Sequence, residues 1–421
     1  MKTRALRLYG KNDLRVEEFD LPKLKDDEIL ALVVSDSLCM SSYKALIQGG
    51  EHKRVPEDIA QRPIILGHEF CGKLIEVGSK WADQFHAGQM FSIQPALNYK
   101  GLPNSLGYSY PCVGGDATYV ILPNEVMEMG CLLPYEGEGY FGASLAEPYS
   151  CVIGTFHAMY HTTPGKYEHL MGVRPGGKMA ILAGAGPMGL AAVDYIIHAT
   201  PRPSKLIITD IDQARLDRAA ELITPAAAKK LGVELCWLNT ANVADPKAAL
   251  MDFADGTGFD DVIVFAPVKP VVELGDSILG KDGCLNFFSG PSDPNFSALF
   301  NFYNVHYAGT HIVGTSGGNT DDLAEALEMM GRGELTPAFL VTHIGGLAAA
   351  KEATENLPKL SGGKKLIYTG FDMPLTAITD FGELGKTDPL FAELDALCKK
   401  NNGLWNAEAE KLLLKAKGCE V

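Results

Sequence analysis

The sequence lacks paired cysteines, long apolar runs and an excess of positive charge. Its nine cysteines are scattered singly with no C-x-x-C pair, and their odd number argues against a disulfide framework. No segment approaches the roughly 20 consecutive apolar residues that cross a bilayer. We therefore expect neither a disulfide scaffold nor a membrane partner.

The charge balance argues against a nucleic-acid partner. Lysine and arginine total 37 against 52 aspartate and glutamate residues, which gives a net charge of −15. The N-terminal stretch MKTRALRLYGKNDLRVEEFD has neither the apolar core nor the cleavage site of a secretory signal. We expect a cytoplasmic protein whose anionic ligands, if any, need a local basic pocket.

The length of 421 residues exceeds one ordinary core and predicts two domains. The first 150 residues contain short alternating runs such as EILALVVSDS and ATYVILP, which predict a small irregular β-barrel. From Lys178, buried-strand runs such as KMAILAG and KLIITD alternate with helical segments. This alternation predicts a doubly wound parallel sheet, and hence an α/β protein.

The sequence pattern after about residue 335 predicts that the chain returns to the first domain. THIGGLAAAKEATENL and KKLIYTG read as one more helix and strand, and the tail from 373 reads as mixed helix on the surface. We therefore assign residues 1–155 and 335–421 to the first domain and residues 156–334 to the second.

A glycine-rich segment follows the strand KMAILA and opens a helix, as a dinucleotide fingerprint requires. Gly184 permits a tight turn, Gly186 lets the backbone approach a pyrophosphate, and Gly189 lets the helix pack on the strand. The helix begins at Pro187, which needs no N–H there, and Met188 follows; the free N–H groups of this helix N-terminus can bind the phosphates. The alternative is that these glycines only shape a turn.

Asp210 ends the next strand and indicates the choice of cofactor. A carboxylate there can accept hydrogen bonds from both ribose hydroxyls and would repel a 2′-phosphate, which favours NAD. Arg215, one turn into the following helix, could accept a 2′-phosphate, so NADP stays possible. The alternative is that Asp210 only caps that helix, a role for which Asp212 competes.

Three residues far apart in sequence have the composition of a catalytic zinc site. Cys39, His68 and Glu147 offer a thiolate, an imidazole and a carboxylate, and leave a fourth tetrahedral position open. Each residue alone has an ordinary alternative: a buried cysteine, a hydrogen-bonded core histidine and a helix-terminal glutamate.

The order of these motifs resembles the zinc-dependent medium-chain dehydrogenases. Cys39, Gly-His-Glu at 67–69, Glu-Pro at 147–148 and the glycine-rich loop match that family over most of residues 1–371. The resemblance implies a GroES-like β-barrel domain that carries zinc and a Rossmann domain that carries the nucleotide. A glutamate in the third ligand position is similar to the sorbitol, threonine and galactitol-phosphate dehydrogenases.

The resemblance also implies roles for individual residues. Cys39, His68 and Glu147 would hold the zinc, and Glu69 would be a transient ligand or a carboxylate that tunes metal and water. Ser41 would relay the alcohol proton, with a turn-forming serine as the alternative.

The chain departs from the family in two places. Ser42 and Lys44 replace an aspartate and a histidine after Cys39, so the onward proton path is in doubt; Lys44 could instead bind phosphate or be solvated. The loop FSIQPALNYKGLPNSLGYSYPCVGG has only Cys112 where many members have four cysteines, so we expect one zinc per chain and no structural zinc.

The expected activity is zinc- and NAD(H)-dependent interconversion of a sugar alcohol or its phosphate with the ketose. Lys44, Arg54 and Lys100 weakly favour a phosphorylated substrate, and the tyrosines of the 91–115 loop suit either a sugar pocket or a subunit contact. The alternatives are an unphosphorylated polyol or threonine, a zinc-free reductase of the same fold, and a non-catalytic nucleotide-binding protein. A homodimer or homotetramer is expected, since a strand near VHYAGTHIVGTS could pair across a two-fold axis.

Overall fold

The computed structural model describes residues 1–419, which divide into two compact units. The first unit comprises residues 1–147, 319–332 and those from Leu340 onward; the second comprises 148–318 and 333–339. The borders of these units differ from the predicted domain boundaries. The predicted domain boundaries stay a prediction. Among the described residues, none of the helices has the length and apolar character that a membrane span requires.

The described part of the chain contains short strands and helices in alternation. The strands are Lys2–Gly10 (β1), Asp13–Asp20 (β2), Ile29–Ser37 (β3), Ile64–Ile65 (β4), Phe70–Val77 (β5), Met90–Ile93 (β6), Tyr119–Leu122 (β7), Leu132–Pro134 (β8), Tyr160–Thr162 (β9), His169–Met171 (β10), Lys178–Leu182 (β11), Lys205–Asp210 (β12), Glu234–Asn239 (β13), Phe259–Val264 (β14), Leu279–Phe287 (β15), His311–Gly314 (β16), Val341–Gly346 (β17), Lys364–Tyr368 (β18) and Thr376–Ala377 (β19). The helices are Met40–Gln48 (α1), Asn124–Glu128 (α2), Tyr140–His157 (α3), Pro187–His198 (α4), Gln213–Leu222 (α5), Pro225–Lys230 (α6), Pro246–Phe253 (α7), Lys269–Ser277 (α8), Phe302–Tyr307 (α9), Thr320–Gly331 (α10), Leu347–Asn356 (α11), Phe381–Leu384 (α12), Pro389–Lys400 (α13) and Ala407–Ala416 (α14).

The first unit is built on an eight-stranded sheet and a three-stranded sheet. The larger sheet has the order β19-β17-β18-β3-β5-β6-β8, with β7 also paired to β3, and the smaller one has the order β2-β1-β4. β3 pairs antiparallel with β5, β7 and β18, so its backbone is held along its whole length. Because Cys39 follows β3 by two residues, the sheet fixes where that side chain begins.

The second unit is a six-stranded parallel sheet with the order β13-β12-β11-β14-β15-β16. The strand order reverses next to β11, which is the doubly wound arrangement in which ligands bind beyond the carboxyl ends of the strands. The central strands are buried runs such as Met179–Leu182, as a sheet covered on both faces requires. The predicted parallel sheet is confirmed.

The chain returns to the first unit as predicted, with one difference. β18 pairs antiparallel with β3, which confirms that KKLIYTG rejoins the first domain. The helix predicted over THIGGLAAAKEATENL begins only at Leu347, because Val341–Gly346 forms a strand parallel to β18.

The tail from 373 forms helices with many exposed residues, as predicted, but one face of these helices is buried. Phe381, Trp405 and Leu413 are fully buried, and so is the carboxyl group of Glu410. In α13 and α14, exposed lysines and glutamates alternate with the buried residues. This amphipathic pattern does not indicate what the apolar face packs against. The tail therefore contributes to the core of the first unit.

Glu410 joins the tail to the first turn of α3. Its two carboxyl oxygens accept hydrogen bonds from the backbone N–H groups of Tyr140 (2.6 Å) and Phe141 (2.9 Å) and from the Tyr368 hydroxyl (2.7 Å). These N–H groups have no partner within the helix, so the glutamate completes its N-terminus. Burial nevertheless raises the pKa of Glu410 to about 7, against the effect of the three donors.

We expect Glu410→Gln to flatten the dependence of stability on pH. Between pH 5 and 7 the unfolded chain releases the Glu410 proton while the folded protein retains it. The wild-type free energy of unfolding should therefore fall relative to the variant by up to about 1.4 kcal/mol per pH unit. Urea unfolding of both proteins across this pH range measures the free energy of unfolding. Parallel plots of this free energy against pH for the two proteins would contradict the prediction. Cys71 and the tyrosines that face Glu410 have pKa values above this pH window, so they do not titrate within it.

Candidate active site

Three predicted site residues lie together in the first unit. Cys39 precedes α1, while His68 and Glu69 lie in the loop between β4 and β5. One potential ligand atom from each lies within 4.8 Å of the other two. A thiolate, an imidazole and a carboxylate at this spacing are a donor set that zinc accepts.

Glu147 lies close to this group but is not among the three mutually near residues. It projects from α3 and is buried. Burial and then the charge of Glu69 raise the pKa of Glu147 to about 7, while His68 opposes the increase. The structure thus brings Cys39, His68 and Glu69 together and places Glu147 where it interacts electrostatically with them, and the choice between Glu69 and Glu147 stays a prediction.

Lys364 forms an ion pair with Glu69, and this lysine was not predicted to belong to the site. Its ammonium group lies 2.5 and 2.6 Å from the two carboxylate oxygens, and both side chains are buried. Burial disfavours the charged ammonium, but the negative charge of Glu69 prevails and raises the pKa of Lys364. The sequence did place two adjacent lysines in an otherwise apolar strand. Because lysine is rarely buried without a partner, this pattern could have indicated a buried ion pair.

His68 is oriented by two hydroxyl groups. The Tyr108 hydroxyl lies 3.0 Å from Nδ1 and 3.4 Å from Nε2, and the Ser42 hydroxyl lies 3.5 Å from Nδ1. Burial lowers the pKa of His68, which favours the neutral imidazole that a metal requires. Ser42 therefore contacts the histidine from the position where the family has an aspartate.

Tyr108 reaches the site because its loop packs against the His68 loop. A Cβ atom at Gly107 would lie 2.1 Å from the carbonyl oxygen of Gly67, so only glycine permits this approach. Tyr108 is fully buried, whereas the hydroxyls of Tyr99 and Tyr110 donate to glutamates of α2. Of the loop's aromatic residues, the sequence could not distinguish the one at the site.

Ser41 and Lys44 lie in α1, just after Cys39. The Ser41 side chain lies near enough to the Cys39 thiol and to the Tyr108 hydroxyl to lower the pKa of each, although burial raises both pKa values overall. Lys44 is half-buried one turn further along the helix. Ser41 is thus at the candidate metal group, while a role of either residue in proton transfer stays a prediction.

The glycine-rich segment lies between β11 and α4 in the second unit, as predicted. Pro187 begins α4, and the N-cap residue Gly186 makes no side-chain cap, so the first N–H groups remain available for an anion. A Cβ atom at Gly186 would meet nothing within 4 Å, whereas one at Gly189 would lie 2.2 Å from the carbonyl oxygen of Gly184. This open cradle before a helix N-terminus fits a dinucleotide pyrophosphate.

The positive φ of the turn falls at Ala183 and not at Gly184. Ala183 has φ of +56°, while a Cβ atom at Gly184 would lie 2.4 Å from a methyl group of Ile181. Gly184 is therefore required by packing against the strand rather than by the turn itself. Met188, in the first turn of α4, is half-buried.

Asp210 ends β12, and its carboxylate is already hydrogen-bonded. It accepts from the backbone N–H groups of Ala185 (3.1 Å), Ile211 (2.8 Å) and Asp212 (3.1 Å). A carboxylate has about four acceptor positions, so one remains for a ribose hydroxyl unless a backbone bond is exchanged. Asp212 caps α5 by accepting from the backbone N–H of Arg215, whose side chain lies 3.4 Å from the same carboxylate.

Two family models match this chain. One described as an alcohol dehydrogenase GroES-like domain matches residues 25–131, and one described as a zinc-binding dehydrogenase matches residues 187–332. The predicted combination of a GroES-like domain with a Rossmann domain is confirmed.

Two curated relatives match nearly the whole chain. Mannitol-1-phosphate 5-dehydrogenase of Aliivibrio fischeri is 51% identical over 98% of this chain and 97% of its own length. L-sorbose 1-phosphate reductase of Klebsiella pneumoniae is 50% identical over the same shares of the two chains. Their similarity extends over both units and most of the tail.

Solved structures support the fold. The crystal structure of 2R,3R-butanediol dehydrogenase from Bacillus subtilis has a TM-score of 0.71 at 20% identity, and covers 87% of this chain and 99% of its own. At this identity the likeness concerns the arrangement of the backbone alone.

Proposed function

Because this chain belongs to the zinc-dependent medium-chain dehydrogenase family, we propose that it transfers hydride between NAD(H) and a polyol phosphate/ketose phosphate pair. The specific reaction proposed is reduction of L-sorbose 1-phosphate to glucitol 6-phosphate. The observation that carries the proposal is the group of the partly buried Cys39 with the buried His68 and Glu69, next to Glu147. The names of the two relatives supply the phosphorylated substrate class.

We propose that Cys39, His68 and Glu147 hold the zinc. Both oxygens of Glu69 accept hydrogen bonds from Lys364, which favours Glu69 as a nearby carboxylate rather than a permanent ligand. Exchange of Glu69 onto the metal would require release of this ion pair. When bound, zinc supplies Lewis-acid polarisation of the substrate oxygen.

The residues around the ligands support a role in proton handling. In the reductive direction the Ser41 hydroxyl would donate a proton to the ketone oxygen, and solvent would restore the proton to Ser41. Hydride chemistry belongs to the nicotinamide, so the protein must bind and orient it. Gly184, Gly186, Pro187, Met188 and Gly189 form the proposed pyrophosphate site.

We propose NAD as the preferred cofactor, with NADP as a weaker alternative. Asp210 keeps a negative charge where a 2′-phosphate would lie. Arg215 is half-exposed and paired with Asp212, which reduces its availability to a phosphate.

A homodimer or homotetramer is the proposed assembly. β16 is the edge strand of the six-stranded sheet, and Ile312 on it is 42% exposed. An unpaired edge strand with an exposed apolar residue is a surface that a second copy can cover. A cytoplasmic location also stays a prediction.

A substrate and metal screen tests the proposal. We expect L-sorbose 1-phosphate with NADH, and glucitol 6-phosphate with NAD, to give kcat/KM values at least about tenfold above those of unphosphorylated sugars, threonine and primary alcohols. Elemental analysis should find stoichiometric zinc. Preference for a primary aliphatic alcohol, or full activity without zinc, would overturn the proposal. A preference for NADPH would overturn only the cofactor assignment.

A further inference from the structure

A cluster of basic residues lies beside the candidate active site of this acidic protein. Lys44 projects from α1, and His52, Lys53 and Arg54 follow that helix in the next loop. Burial and then the charges of Arg54, Lys53 and Lys44 lower the pKa of His52 to about 4. Three cations thus act on one partly buried histidine.

Tyr108 connects this cluster to a proposed zinc ligand. The His52 ring stacks on the Tyr108 ring, with centroids 5.5 Å apart and an interplanar angle of 9°. The Arg54 guanidinium lies 5.7 Å from the centroid of the same ring. The hydroxyl of that tyrosine lies 3.0 Å from His68, so Arg54 and the proposed zinc ligand contact one side chain.

The loop that carries Arg54 is held in place by hydrogen bonds. The Ser109 hydroxyl donates to the carbonyl oxygen of Arg54 at 2.7 Å, and the backbone N–H of Arg54 donates to Nδ1 of His52 at 3.3 Å. Because the loop is already ordered, it loses less conformational entropy when a ligand binds.

Arg54 differs from the other arginines nearby. Within residues 1–419 no carboxylate lies within ion-pair distance of its guanidinium, whereas Arg62 pairs with Asp58 at 3.6 Å and Arg7 with Glu17 at 2.7 Å. A half-buried guanidinium without an acidic partner suits an anionic ligand. Lys100 is a weaker candidate, because it lies over Tyr99, whose hydroxyl donates to the acidic Glu128.

We propose that Arg54 binds the phosphoryl group of the sugar phosphate while the reacting carbon lies at the zinc site. This inference rests on the proposed function and assigns its phosphate to a particular residue. A guanidinium binds a phosphate monoester through two parallel N–H···O bonds, which an ammonium cannot reproduce. Arg54 is thus the residue that distinguishes a phosphorylated polyol from the free polyol.

The test compares kcat/KM for glucitol 6-phosphate with that for glucitol in wild type, Arg54→Gln and the matched control Arg62→Gln. Arg54→Gln should reduce the phosphorylated-to-free ratio about 30-fold, as expected for loss of charge-assisted hydrogen bonds. Arg62→Gln, an exposed arginine of the same loop, should keep the wild-type ratio.

The outcomes separate this inference from the proposed function. A wild-type enzyme without preference for glucitol 6-phosphate refutes the phosphorylated substrate and the inference together. A wild-type preference that Arg54→Gln retains refutes the inference alone.

A second measurement tests the same assignment if Arg54→Gln folds poorly. Inorganic phosphate should inhibit the wild type competitively with glucitol 6-phosphate, and Arg54→Lys should raise its inhibition constant about fivefold. Equal inhibition constants in the two proteins would overturn the assignment.

Discussion

Cys39→Ala is expected to lower kcat/KM about 1000-fold and to release zinc. The substitution removes the thiolate from the group of Cys39, His68 and Glu69. Lewis-acid polarisation contributes several kcal/mol of transition-state stabilisation. Because each 1.4 kcal/mol corresponds to a factor of ten, its loss has an effect of this size. Steady-state kinetics and elemental analysis of the purified variant measure the two effects.

Cys112→Ala is the matched control, since both cysteines are partly buried and belong to the first unit. It should retain zinc and wild-type kinetics. Full activity of Cys39→Ala after treatment with a chelator would instead identify a zinc-free reductase of the same fold.

Gly186→Val is expected to weaken NADH binding about 100-fold with little change in melting temperature. Since a Cβ atom at this position meets no protein atom within 4 Å, the folded protein can accommodate the side chain. The same space is where the pyrophosphate must approach the backbone, so the valine would block its charge-assisted hydrogen bonds. Fluorescence titration with NADH and thermal unfolding measure the two quantities independently.

Gly189→Ala provides the contrast. Its Cβ atom would lie 2.2 Å from the carbonyl oxygen of Gly184, so α4 must move away from β11. Overpacking of this kind costs about 1 to 3 kcal/mol or more, and the melting temperature should fall. If Gly186→Val lowered the melting temperature as much as Gly189→Ala, the assignment of an open phosphate cradle would be wrong.

Local patterns in the sequence predicted much of the fold and part of the site. Continuous apolar runs alternating with helices predicted the parallel sheet, because strands covered on both faces have no polar side. The glycine-rich segment was interpretable for a similar reason: a strand, a tight turn and a helix follow one another directly. Cys39, His68 and Glu147 required the order of several motifs, since each has an ordinary alternative.

The tail shows where such patterns fail. Its helices have polar residues on one side and were expected on the surface, yet Trp405 is fully buried and Glu410 completes the N-terminus of α3. Periodicity indicates that a helix has an apolar face, but not which other element covers it.

The sequence by itself determined the family of folds, the dinucleotide segment and the candidate ligands, because these depend on local patterns and on the order of motifs along the chain. Only the tertiary structure decided which distant groups meet. Lys364 pairs with Glu69 across 295 positions of the chain, and Tyr108 lies between Arg54 and His68. Such contacts depend on β18 pairing with β3 and on the packing of one loop against another. No local pattern specifies these pairings, since they arise from the burial of the whole chain.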